Sequence, residues 1–165
     1  MLFDTTTSDA ATNDISFMDI DQSYTHLWVI AQLRQDGAAD AAPFSVTMNG
    51  DTSAVYTSQR DELAGGLSAA WSGPENAIVL YEMPGGATIA QGALFLELRV
   101  PFYHATTFFK QLSVSGKFDY VSGPGYTIGG SGTYRSTDPV TRLDILAPGG
   151  THFAVGSRAA LYGIV

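Results

Sequence analysis

The sequence predicts an all-β chain, an antiparallel β-sandwich of jelly-roll-like type, and three observations predict it. From residue 14 onward apolar positions recur with period two rather than 3.6, as on strands that bury one face. Clusters of Gly, Pro, Asn and Asp cut the chain into short segments at close intervals. Helical character is confined to residues 58–63, about one turn.

The elements follow in chain order. Residues 1–13, MLFDTTTSDAATN, are polar and lack an apolar period, so they read as an N-terminal arm. At about 3.3 Å per extended residue the arm reaches about 40 Å, enough to lie along a neighbouring subunit with Leu2 and Phe3 as its apolar contacts. The single domain then spans residues 14–165. Ile15 and Phe17 alternate with polar neighbours. Leu27, Val29, Ala31 and Leu33 share one face of residues 24–34, with Trp28 and Ile30 on the other. Phe44, Val46 and Met48 alternate, and residues 78–81 form a short apolar run. Leu94, Leu96, Leu98 and Val100 make the cleanest strand, opposite Phe95, Glu97 and Arg99. Phe108, Lys110, Leu112 and Val114 are next, then Leu143 with Ile145, and Phe153 with Val155. The last strand carries Ala159, Leu161 and Gly163 opposite Tyr162 and Ile164. Ending in apolar residues, it is expected inside the sheet, beside the strand that follows the arm, because an uncovered edge is sticky. Turn chemistry marks Asn49-Gly50-Asp51, Gly65-Gly66, Ser72-Gly73-Pro74, Pro84-Gly85-Gly86, Gly129-Gly130 and Pro148-Gly149-Gly150. Residues 65–74 and 123–132 read as outward loops.

Composition bounds the function. The chain has 165 residues, 45% hydrophobic and 15% charged, which is one domain with enough apolar mass to fold. With no Cys, a disulfide scaffold, a thiolate zinc site and a cysteine nucleophile are all excluded. Eight basic residues stand against sixteen acidic ones, and Asp4, Asp9, Asp14, Asp19 and Asp21 all precede Arg34, the first basic residue. A net charge of −8 argues against nucleic acid or an anionic membrane surface as a partner. No apolar run approaches the roughly 20 residues of a spanning helix.

Residues with chemical potential read as structural. His26, His104 and His152 are far apart and lack metal-ligand spacing. Asp19-x-Asp21 and Asn49-Gly50-Asp51 lack the further acids of a calcium loop. A G-x-S-x-G elbow is missing, and the Gly-rich stretch 123–132 lacks the Lys-Ser/Thr ending of a phosphate loop. Glu97 and Asp144 sit in strands, each two residues from an arginine, Arg99 and Arg142, so ion pairs are the simpler reading than paired catalytic acids. No catalytic residue, cofactor or metal is expected. The aromatics say more: Trp28, Phe95, Phe109 and Tyr162 lie opposite apolar neighbours, so their strands are apolar on both faces. That fits an oligomer interface or a small second core under the loops.

Three segments occur in order: Phe17-x-x-Ile20-x-x-x-Tyr24-x-x-Leu27, then Asn49-Gly50-Asp51-Thr52-x-x-x-Tyr56, then Gly156-Ser157-Arg158-x-x-Leu161-Tyr162-Gly163-Ile164. Together they resemble a family of small tailed-phage virion proteins, the β-sandwiches of fibre heads and capsid decoration. The resemblance implies a non-enzymatic structural component at the virion surface, forming a homo-trimer or homo-pentamer on a major capsid protein or a tail or fibre protein. The alternative expectation keeps the fold and makes the chain a receptor-binding protein for host surface glycan, contacting sugar through Tyr126 or Tyr134. A third, a glycan-degrading enzyme, would need Glu97 and Asp144 together. In the terminal motif Gly156 permits a tight turn, Ser157 bonds backbone there, Leu161 packs inward and Gly163 admits a neighbouring backbone.

Overall fold

The computed structural model describes residues 2–7, 12–38, 41–63, 67–85, 92–118 and 125–165. Two antiparallel sheets face each other across one core, with no helix among the described residues. The larger sheet is ordered β1 (Leu2–Thr7), β12 (Arg158–Ile164), β3 (His26–Leu33), β8 (Leu94–Pro101), β9 (Lys110–Phe118), β10 (Tyr126–Tyr134), β5 (Tyr56–Leu63), β6 (Leu67–Glu75). The smaller is ordered β2 (Asp14–Phe17), β11 (Leu143–Leu146), β4 (Ala41–Met48), β7 (Ile78–Pro84). From β1 to β5 the chain alternates between the sheets, which is its roll-like feature. The division into eight and four is its departure from an eight-stranded jelly roll.

Alternation builds the core. Leu27, Val29, Ala31 and Leu33 of β3 and Leu94, Leu96, Leu98 and Val100 of β8 are all buried. They join Phe44, Val46 and Met48 of β4 and Leu143 and Ile145 of β11 in one cluster. Each large side chain so buried stabilises the fold by about 1.5–3 kcal/mol relative to exposure.

Several expectations are corrected. Residues 2–7 are the edge strand β1 of this chain's own sheet, paired with β12, whereas an arm along a neighbour was expected. The side chains of Leu2 and Phe3 lie outside the described residues. The terminal strand is inserted in the sheet as expected, but between β1 and β3, while β2 belongs to the other sheet. Residues 58–63 continue β5 and are not helical. Their inward Ser58 is polar, which hides the period; its Oγ accepts the N–H of Val79 across the sandwich at 2.8 Å. Within the stretch 65–74, residues 67–74 belong to β6, and its Gly73-Pro74 coincides with a register shift against β5. An edge strand tolerates proline and a bulge there. Residues 126–132 belong to β10, so the expected loop 123–132 is mostly strand. Residues 64–66 and 119–124 lie outside the described residues. Strand β9 opens at Lys110, leaving Phe108 outside it and exposed. Phe153 makes only isolated bridges, to Thr12 and Gln35, and Val155 sits exposed in a turn.

Candidate functional site

The register of the larger sheet places its outward residues in rows. Tyr162, Trp28 and Arg99 lie side by side on β12, β3 and β8. The Trp28 and Tyr162 rings are 5.9 Å apart, and the Arg99 guanidinium lies 5.8 Å from the centre of the Trp28 ring. Contacts between them therefore cover part of both rings, which are half-buried. Arg99 also pairs with Glu97 at 3.0 Å. Beside these residues a groove of about 440 Å³ is lined by His26, Trp28, Arg99, Pro101, Ser113 and Ile164. Phe95 is exposed two positions before Glu97, next to a second groove lined by Ile30, Gln32, Arg158 and Tyr162.

The connection between β8 and β9, residues 102–109, adjoins this face. Tyr103 is its anchor: fully buried, with its hydroxyl donating to the Asp21 carbonyl and its own carbonyl accepting the N–H of Val140 at 2.9 Å. Phe102 adopts a left-handed φ of 48°, unusual for a bulky residue. Its N–H donates to Nδ1 of His26 at 3.2 Å, and its ring meets the His26 ring edge-on at 4.8 Å. Lys110 closes the other end. Its buried Nζ donates to the carbonyls of Phe108 and Thr137 at 3.3 and 3.0 Å, and burial pushes its pKa down against the opposing pull of Asp138. Held at both ends, the connection leaves Phe102, Phe108 and Phe109 59%, 77% and 48% exposed around a cavity of about 460 Å³.

The residues expected at an interface are thus divided. Trp28, Phe95 and Tyr162 share the outer sheet face, and Phe109 belongs to the aromatic connection. Sequence reasoning placed Phe108 in a strand and passed over Phe102 and Trp71. The available signal was four aromatics within residues 102–109, directly after the period breaks at Pro101. Trp71 was hidden in a segment read as loop; it is 71% exposed on β6.

The terminal motif is architectural. Gly156 has φ +91° in the turn that the Ser157 N–H closes on the Ala154 carbonyl at 3.0 Å. Ser157 Oγ then exchanges hydrogen bonds of 3.2 Å with both backbone groups of Arg34. Arg158 donates to the Gln32 side chain, Leu161 is buried and Gly163 pairs with Leu27. Ile164 borders the 440 Å³ groove.

Glu97 and Asp144 are not brought together. Glu97 lies on the outer face of the larger sheet and Asp144 on the core-averted face of β11, with the core between them. Asp144 is buried and accepts both bonds from Nε of Arg142, at 2.8 and 3.0 Å, and one from Ser16 at 2.6 Å. Tyr134 is buried, stacked on Tyr56 at 5.0 Å, and so cannot make the sugar contact expected of it. Tyr126 stacks on Phe118 at 5.0 Å and is half-buried. His26 borders the aromatic connection and His104 lies within it, edge-on to Tyr103, whereas His152 pairs with Asp36 at 3.2 Å. Among the described residues, no three of His, Asp and Glu gather closely enough to hold a metal. Set against protein-family models, curated proteins and solved structures, the chain matches none.

Proposed function

We propose that this chain is a non-enzymatic structural subunit of a tailed-phage virion surface, a capsid-decoration or fibre-head protein, that homo-oligomerises through the aromatic connection 102–109. The virion reading rests on the resemblance of residues 17–164. The assembly reading rests on one observation: Phe102, Phe108 and Phe109 are exposed together around an apolar cavity while both ends of their segment are pinned. Pinning three phenylalanines in water is costly unless another surface covers them, and contiguous apolar patches mark protein contacts. Fixing the segment in advance lowers the ordering cost of association.

Native mass measurement of the purified chain tests assembly, with a trimer or pentamer expected. The Phe108→Ser/Phe109→Ser variant is expected to be monomeric with an unchanged far-ultraviolet spectrum, since neither ring is in the core. A monomeric parent at micromolar concentration overturns the assembly reading. Absence of the chain from purified virions of a phage that encodes it overturns the virion reading.

A further inference from the structure

The outer face of the larger sheet carries a second surface, distinct from the aromatic connection. Register continues the row of Trp28 and Arg99 across the sheet. Arg99 pairs with Ser113, Ser113 with Ser131, Ser131 with Gln59, and Gln59 with Trp71. The row runs Trp, Arg, Ser, Ser, Gln, Trp over six adjacent strands, about 24 Å at about 4.8 Å per strand. Its polar members are all exposed. We propose that this row binds an extended polysaccharide bearing carboxylates, with a uronate seated in the groove beside Trp28.

The chemistry of the row selects that ligand. A pyranose ring offers an apolar C–H face and a rim of hydroxyls. It therefore suits aromatic rings at intervals with short hydroxyl and amide side chains between them. The groove adds a charge preference. Among the described residues its lining includes Arg99, His26 and Ser113 and no acid. Because Nδ1 of His26 accepts the Phe102 N–H, the neutral ring carries its proton on Nε2, which is a donor. Only one nitrogen of Arg99, Nη2, is engaged with Glu97. Two acids of the same face, Glu97 and Asp61, lie in the adjoining row, with Glu97 held to Arg99. On a chain of net charge −8, a groove of donors without a lining carboxylate is complementary to an anion.

Trp28 and Trp71 are the two tryptophans of the chain, so tryptophan fluorescence reports on this row alone. The experiment titrates the full chain with oligogalacturonate and with its methyl ester, which keeps the ring and removes the charge. Oligogalacturonate is expected to shift the emission, with the ester bound about tenfold more weakly, the effect of one charged hydrogen bond. Arg99→Gln is expected to reduce the acid's affinity to that of the ester. Trp71→Ala is expected to abolish the advantage of long over short oligomers. Both side chains are exposed, so neither change threatens the fold. No response to either oligomer, equal affinity for acid and ester, or indifference to both substitutions overturns the proposal. An equal response to polyglutamate overturns the saccharide assignment in favour of an acidic peptide. Assembly is read separately through Phe108 and Phe109, so either proposal can fail alone.

Discussion

Tyr56 belongs to the larger sheet, yet its hydroxyl closes a turn that leaves the smaller one. That hydroxyl accepts the Met48 N–H at 3.0 Å, and its proton lies between the carbonyls of Asp51 and Met48 at 2.9 and 3.1 Å. Burial pushes the phenol well above its ordinary value. Neighbouring Tyr134 stacks on it and reaches the Asp51 carboxylate at 3.3 Å. Tyr56→Phe keeps the ring and removes the bonds, leaving buried backbone groups short of a partner. The expected loss is about 1–3 kcal/mol, read as a lower urea midpoint with an unchanged slope. An unchanged midpoint would show that the hydroxyl is dispensable. Asn49-Gly50-Asp51 was legible as a turn, because Asn49 and Gly50 take φ of 57° and 65° as such residues do. The tyrosine that seals it was not, since nothing local to Tyr56 reveals a partner in the opposite sheet. For the same reason Ser157 was readable as a backbone-bonding residue while its partner, Arg34, 123 positions away, was not.

At the scale of elements, legibility followed the contrast between the two faces of each strand. Strands β3, β8 and β12 have apolar inward residues at every second position, and their boundaries were close to those found. Strands β5, β6 and β10 were missed because Ser58, Arg60, Gly130 and Gly132 interrupt the inward rows between Tyr56, Ile128 and Tyr134, and Ala70 and Ser72 carry β6, so the period has little amplitude. Gly132 of β10 shows why glycine is there. A Cβ at that position would overlap the side chain of Ile78 on β7, so the two sheets approach closely at this point. Gly132→Ala is therefore expected to cost about 1–3 kcal/mol through overpacking. Ile78→Ala alone opens a cavity, but in the Gly132→Ala background it removes the obstruction, so the double variant should lose less than the sum of the singles. Chemical denaturation of the four proteins measures that coupling. Additive losses would place the strain elsewhere.

Taken whole, the molecule is two sheets joined by connections that cross between them, and two carboxylates, the exposed Asp36 and the half-buried Asp51, fasten such crossings. Asp36 follows β3 and accepts the His152 N–H at 2.8 Å, tying it to the segment between β11 and β12. That backbone bond, with help from the His152 side chain, holds the Asp36 carboxyl below its ordinary value of 3.8. Asp51, between β4 and β5, is likewise held low by hydrogen bonds from the Ser53 side chain and backbone. Asp51 was legible only as part of its turn, and Asp36 not at all, because its partner His152 lies 116 positions away and a lone aspartate carries no pattern. The sign of the pH effect follows from the direction of the shifts. A carboxylate depressed in the folded state contributes stability that is fully present above its unfolded value and is lost as pH falls through its folded value. Both groups act the same way, so stability should decline below about pH 4. Relief of the net charge of −8 on acidification opposes this and involves every acid, so substitution is needed to isolate the two. In the Asp36→Asn/Asp51→Asn variant, urea unfolding from about pH 2 to about pH 6 should show a shallower decline than in the parent, because fewer protons are taken up on unfolding. An equal decline would assign the acid sensitivity to other carboxylates.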